Sequence, residues 1–216
     1  MKAVIFDMDG VIIDSEPMHV KLESEILEEF GGDYSKVDLE GFMGTTDAKM
    51  WSTFKEQFNL EPSVEELINI KRKRFIENLD YIPLVDDVLD FMAALRDHGY
   101  KLGLASSNNE DAVEAIKNKF GLDKYIEVFT NGEAVTKGKP HPEIFLLTAG
   151  QLGLKPEECL VIEDSRNGVL AAKAAGMKCV GFRNKNSGVQ DLSEADLIVG
   201  SYKELTMEAM ANLFRQ

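Results

Sequence analysis

Cysteine is nearly absent: Cys159 and Cys179 are the only two in 216 residues. They form no CxxC spacing and have no histidine pair nearby, which excludes a disulfide framework and a Cys/His zinc site. Both flank apolar strand-like segments, so buried, reduced thiols are expected. No apolar run approaches the roughly 20 residues needed to cross a bilayer. The N-terminus enters a strand-like segment, Ala3 to Phe6, without a signal-type apolar region or cleavage site, and cytoplasmic residence is the default expectation. Positive charge is scarce: 24 Lys and Arg stand against 38 Asp and Glu, a net charge of −14. A surface of that sign repels nucleic acid and anionic membrane, so neither is expected as a partner. Repeats and low-complexity tracts are missing too. With 44% hydrophobic and 29% charged residues, the chain reads as an ordered globular protein large enough for a core domain plus a small satellite.

Lys2 to Asp7 is a short apolar run that ends in acid, as a fully buried parallel strand reads. Lys101 to Ala105, Leu160 to Ile162, Cys179 to Phe182 and Leu197 to Val199 repeat the pattern. Helical stretches lie between them. Val88, Leu89, Phe91, Met92 and Leu95 share a helical face ahead of Gly99. Asn109 to Phe120 ends at Gly121, Pro142 to Leu152 at Gly153, and Arg166 to Ala175 at Gly176, where glycine caps belong. Alternation of this kind predicts an α/β fold, a doubly wound parallel sheet covered on both faces. From Glu16 to Ile82 the rhythm breaks. Met18, Leu22, Ile26 and Phe30 step by four, and Ser63 with Glu66 forms a capping box ahead of a helix toward Leu79. This stretch, 16–82, predicts an all-helical insert in a core domain made of 1–15 and 83–216, hinged near Asp14–Ser15 and Tyr81–Pro83.

Four short motifs carry chemistry. Asp7 and Asp9 follow the first strand, where ligands bind in a parallel sheet. On a continuing strand they share a face, and Gly10 lets the chain turn sharply beside them. One acid can attack phosphorus while the other handles protons; the plain alternative is a solvated loop. Ser106, Ser107 and Asn108 precede a helix, offering a hydroxyl and backbone N–H groups to a phosphate oxygen, or simply helix capping by Asn108 or Asn109. Lys139 stands in a proline-stiffened loop, Lys137-Gly-Lys-Pro-His-Pro142, where it can neutralise a phosphoryl group or be a solvated lysine. Glu163 and Asp164 close a strand as adjacent acids, a pattern that suits a hard cation such as Mg2+. A chain this acidic needs such local positive charge to bind a phosphate at all.

The joint pattern resembles the haloacid dehalogenase superfamily of phosphohydrolases, along the whole chain. The resemblance implies Asp7 as the phosphorylated nucleophile and Asp9 as general acid/base, with Ser106 and Lys139 holding phosphoryl oxygens. It implies Mg2+ bound by Asp7, the carbonyl of Asp9 and Asp164, with Glu163 at the metal, and Gly10, Ser107 and Asn108 lining the substrate site. The insert is similar to the cap of the β-phosphoglucomutase-like branch, which implies closure over the substrate and adds His19, Thr46 and Lys73 as substrate-binding positions. In that branch an arginine follows a G-x-S turn and grips a second phosphate. The matching stretch here is Gly44-Thr45-Thr46-Asp47, and an acid in that place is expected to repel one. Lys73 lies in the basic run Lys71 to Arg74, which otherwise reads as a solvated helix face. The expected activity is therefore a Mg2+-dependent phosphatase, monomeric, acting on a small phosphorylated metabolite such as a sugar phosphate, with a β-phosphoglucomutase-like isomerase as the alternative.

Overall fold

A computed structural model describes residues 1–37 and 46–215; Gly44 and Thr45 of the turn just named lie outside the described residues. The chain divides into two compact units, Met1–Asp14 with Pro83–Gln216, and Ser15–Ile82.

The first unit is built on six parallel strands: β1 Ala3–Phe6, β2 Lys101–Ala105, β3 Val128–Thr130, β4 Cys159–Glu163, β5 Lys178–Phe182 and β6 Leu197–Val199. Their order is β3-β2-β1-β4-β5-β6, so the chain reverses direction across the sheet between β1 and β4. That is the switch point at which open α/β sheets bind ligands. All four residues of β1 are fully buried, as the central strand of a covered sheet requires. β3 is absent from the pattern read in the sequence. Its residues Val-Phe-Thr are only partly apolar and its first two only half-buried, and it pairs with β2 from Gly103↔Val128 to Ala105↔Thr130.

Among the described residues, the helices of the insert are α1 Glu16–Glu29, α2 Asp47–Phe58 and α3 Val64–Glu77; those of the sheet unit are α4 Val88–Asp97, α5 Glu110–Phe120, α6 Glu143–Gln151, α7 Arg166–Ala174 and α8 Met207–Leu213. α4 packs on β2, α6 on β1 to β3, and α7 on β4 and β5. The core between them gathers Ile5, Phe145, Val161, Val169 and both cysteines, which are free and buried. Burial pushes the Cys159 thiol up to about 11 and that of Cys179 higher still, so both stay protonated and inert. No helix among the described residues is long and apolar enough to cross a membrane.

The second unit carries no strand among its described residues. α1 buries Met18, Leu22, Ile26 and Leu27, while Phe30 stands at its C-terminal end, half-buried. The capping box forms as read: the Ser63 hydroxyl accepts from the Glu66 N–H at 3.2 Å, and the Glu66 carboxylate accepts from the Ser63 N–H at 2.8 Å. The basic run departs from expectation. Lys71 is not on a solvated face; its side chain is 6% exposed and its ammonium donates to Glu23 at 2.5 Å and Asp47 at 2.7 Å. Burial alone would lower the Lys71 pKa, but the two carboxylates outweigh it and raise it. The charge of Asp47 is thus compensated inside the helical unit.

Candidate active site

The sheet register brings three motifs to one level. Phe6 is in register with Leu104 on β2 and Ile162 on β4, so the next residues, Asp7, Ala105 and Glu163, lie side by side at the carboxyl edge. The Asp7 N–H still donates to the Ile162 carbonyl at 3.0 Å, which holds Asp7 as an extension of β1. Ser106 continues β2 in the same way, its N–H donating to the Thr130 carbonyl at 3.0 Å. The short β3, unseen in the sequence, is therefore what fixes the Ser106 position.

Lys139 arrives from the loop after β3 and spends all three of its N–H donors. Its ammonium donates to Asp7 Oδ1 at 2.5 Å, to Glu163 Oε1 at 2.7 Å and to the Ala105 carbonyl at 3.2 Å. The cation also lies over the Phe145 ring, 4.8 Å from its centroid. The side chain is only 7% exposed, and the neighbouring carboxylates raise its pKa against the opposing effect of burial. Of the two lysines in the loop, Lys137 is exposed and Lys139 is the one held in the acid cluster.

Glu163 has both oxygens engaged by protein donors. Oε1 takes Lys139, and Oε2 takes the N–H and hydroxyl of Ser165 at 2.8 and 2.9 Å. Ser165 in turn caps α7, accepting from the Gly168 N–H at 3.0 Å. A Cβ at Gly168 would lie 1.7 Å from Glu163 Oε1, so only glycine lets the helix approach this carboxylate. Asp164 is 9% exposed and accepts from the Ser187 hydroxyl at 2.5 Å.

Asp9 stands directly before the turn at Gly10, whose φ of +69° places it in the left-handed region. Its carboxylate accepts from the Asn108 side-chain amide at 2.5 Å, and Asn108 is bound through its own N–H to the Ser106 hydroxyl at 3.1 Å. The Asn108 side chain thus serves Asp9. α5 begins after Asn109, which makes no side-chain cap. Ser107 is exposed.

Oxygen atoms of Asp7, Glu163 and Asp164 all lie within 4.8 Å of one another, and all three residues are buried. Burial pushes the Asp7 carboxyl up, to about 8, with Lys139 opposing the shift and Glu163 and Asp9 adding to it. Burial likewise raises Asp164, reinforced by Glu163 and Asp7. One ammonium among these acids leaves an excess of negative charge, and an all-oxygen donor set of this kind suits a hard divalent cation.

The remaining positions read in the sequence belong to the helical unit. His19 is half-buried and stacks on Phe75, ring centroids 4.8 Å apart and planes within 6°. Thr46 caps α2, its hydroxyl accepting from the Lys49 N–H at 3.3 Å. Lys73 is exposed, with its ammonium 3.8 Å from Glu77. Sequence reasoning missed Ser187, Asn184 and the Lys71 triad. None follows a motif, and each acts on residues far away in the chain.

A family model described as "Haloacid dehalogenase-like hydrolase" matches residues 4–182. A Thermotoga maritima protein named "Phosphorylated carbohydrates phosphatase" is 36% identical over 183 residues, covering 82% of this chain and 83% of that one. A solved hydrolase of the same superfamily, family IA, from Entamoeba histolytica superposes with a TM-score of 0.88 at 23% identity over 100% of both chains, a likeness of fold. A β-phosphoglucomutase from Clostridium difficile superposes with a TM-score of 0.82 at 25% identity, covering 100% of this chain and 97% of that one. With its motifs at the carboxyl edge of a 3-2-1-4-5-6 sheet and the family model spanning most of its length, the chain belongs to the haloacid dehalogenase-like hydrolase family.

Proposed function

We propose that this phosphoric monoester hydrolase acts on a phosphorylated carbohydrate, by way of an aspartyl phosphate at Asp7. The observation that carries the reading is Asp7 itself: a buried carboxylate at the end of the central strand, pinned through Oδ1 by Lys139, with a second acid two residues on. Pinning one oxygen orients the other, Oδ2, as the nucleophile. In the first displacement Oδ2 bonds to phosphorus, the ester P–O bond breaks, and Asp9 gives its proton to the departing alkoxide. Water then gives a proton to Asp9 as its oxygen attacks the same phosphorus. The acyl phosphate bond breaks, and the products are the free sugar, inorganic phosphate and the Asp7 carboxylate. Asn108 holds the Asp9 carboxylate for both proton transfers. Lys139 and the Ser106 hydroxyl stabilise phosphoryl oxygens, with Gly10, Ser107 and Asn108 around them. Positioned charge of this kind is the main catalytic contribution in phosphoryl transfer. Mg2+, held by Asp7, the Asp9 carbonyl and Asp164 with Glu163 beside it, would act as the Lewis acid on the phosphoryl group.

The helical unit 15–82 is assigned the role of a cap that selects the leaving group. Hydrolysis is favoured over a mutase by the state of Asp47. The position that the mutase branch fills with a phosphate-gripping arginine carries a carboxylate here, and that carboxylate is bound to the buried Lys71. Two experiments test the reading. Asp7→Asn should lose turnover by several orders of magnitude while keeping its fold. Borohydride reduction of the quenched wild-type enzyme should convert the acyl phosphate at position 7 to homoserine, detected by peptide mass spectrometry. Retention of more than about a hundredth of the activity in Asp7→Asn would remove covalent catalysis at Asp7. Phosphorus NMR on a sugar 1-phosphate with a trace of the bisphosphate decides the alternative: interconversion without free phosphate means a mutase.

A further inference from the structure

The loop that leaves β5, residues 183–188, carries no recognised motif, yet it is bonded to the site at Asp164 and Gly10 and is anchored twice more to Asp14. Ser187 donates its hydroxyl proton to Asp164 Oδ2 at 2.5 Å. Asn184 donates its side-chain amide to the Gly10 carbonyl at 3.0 Å and to Asp14 Oδ1 at 3.3 Å. Asn186 donates to Asp14 Oδ2 at 2.6 Å, and its own N–H is held by the Asn184 side-chain oxygen at 2.8 Å. The contact with Gly10 is tight: a Cβ there would fall 1.9 Å from Asp164 Oδ2 and 2.7 Å from the Ser187 hydroxyl oxygen. Asp164 and Ser187 therefore pack against Gly10 with no room for a side chain at position 10.

A carboxylate on a short side chain can rotate about two torsions, and ordering it from solution costs free energy each time a ligand binds. Ser187 removes that freedom for Asp164. A hydroxyl can only donate to an ionised carboxylate, so the Ser187 bond to Oδ2 fixes the orientation in which the Asp164 carboxylate meets a cation. The Asn184–Asn186 pair keeps the loop from moving away, because it anchors to the Gly10 backbone and to Asp14 at the end of the first chain segment of this unit.

We infer that Ser187 is a positioning residue for the divalent cation, acting through Asp164. The inference rests on the metal reading above and adds to it a residue outside all four motifs. Partners that orient a metal ligand typically contribute about 10–100-fold in metal affinity. Ser187→Ala should therefore weaken Mg2+ binding, measured by calorimetry on the substrate-free protein, by about tenfold or more. The Mg2+ concentration for half-maximal phosphate release should rise by the same factor, with most of the lost turnover recovered in excess Mg2+. Ser187→Thr, which keeps the donor, should restore both. If Ser187→Ala does not fold, Ser187→Cys, a near-isosteric but weak donor, decides the matter by the same measurement. Wild-type affinity in Ser187→Ala or Ser187→Cys overturns the inference alone. A wild-type protein that binds no Mg2+ and works fully after chelation overturns the metal reading, and the inference with it.

Discussion

Removing the ammonium of Lys139 is the perturbation with the most legible consequence. Its three donors are divided among Asp7, Glu163 and the Ala105 carbonyl. On the proposed mechanism, only the bond to Asp7 would act on the nucleophile and the phosphoryl group; the other two hold the lysine in place. The relevant magnitude is that of one preorganised donor, about 3–4 kcal/mol, a loss in kcat on the order of several hundredfold. Lys139→Ala also leaves Asp7 and Glu163 buried without their shared countercharge. Breaking a buried pair in this way costs about 3–5 kcal/mol of stability. Protonation of one carboxyl would relieve part of that, so the variant should fold with a lowered melting temperature. The assay is inorganic phosphate release from a panel of sugar phosphates, read as kcat and KM, with vanadate affinity as the binding readout and circular dichroism for the fold. Lys137→Ala is the internal control. Lys137 is exposed and contributes only its backbone N–H, to Glu143 at 3.2 Å, so its side chain should be dispensable within about twofold, as for ordinary surface substitutions. A folded Lys139→Ala that keeps more than about a tenth of wild-type kcat would refute the assignment. So would a Lys137→Ala more damaging than Lys139→Ala.

Lys71→Met should destabilise the helical unit by roughly 2 kcal/mol, because it leaves the mostly buried Glu23 carboxylate without its countercharge, with the 41% exposed Asp47 beside it screened by solvent. The single tryptophan, Trp51, is buried in that unit and reports its unfolding in urea by fluorescence; a change below about 1 kcal/mol would contradict the buried-triad account. Asp196 joins Lys173 at 2.6 Å, the Cys179 N–H at 2.8 Å and Lys178 at 3.2 Å. Burial raises its carboxyl, but these donors outweigh it and hold the pKa below the ordinary 3.8. A depressed folded-state pKa means stability that is present above the unfolded value and lost as pH falls through the folded one. Asp196→Asn should therefore cost about 1 kcal/mol at neutral pH, and the gap to wild type should close below about pH 4. A gap that stays constant down to pH 2, roughly two units under the unfolded value, would show that charge is not its source.

Much of this protein was legible from local pattern alone. The apolar runs at Lys101–Ala105 and Leu197–Val199 are strands with those bounds, and the Ser63–Glu66 capping box opens a helix at Val64. Glycines at 121 and 176 follow helices with φ of +61° and +75°. These are short-range signals: burial on both faces dictates a continuous apolar run, and a helix end dictates which residue can follow it. The order of the four motifs was likewise visible, because each sits just beyond a strand or in a stiffened loop. Tertiary structure decided the rest, since a chain written in one dimension carries no record of which loops return to which strand. Val128–Thr130 is a strand because Gly103–Ala105 offers it an edge, not because its half-buried Val-Phe-Thr announces one. Lys71 has the look of a solvated lysine in a basic run, and it is buried because α1 and α2 bring Glu23 and Asp47 to it. Asn108 looks like a helix cap and instead holds Asp9, 99 residues away in sequence. Ser187 has no local signal at all; its meaning comes from Asp164, just past the end of the neighbouring β4, and from a glycine at position 10 that leaves it room. Residue types and their spacing determined what chemistry the chain can perform. The parallel register of β2, β1 and β4 decided which oxygen of which carboxylate meets the lysine, because only the folded sheet puts Asp7, Ala105 and Glu163 at one level.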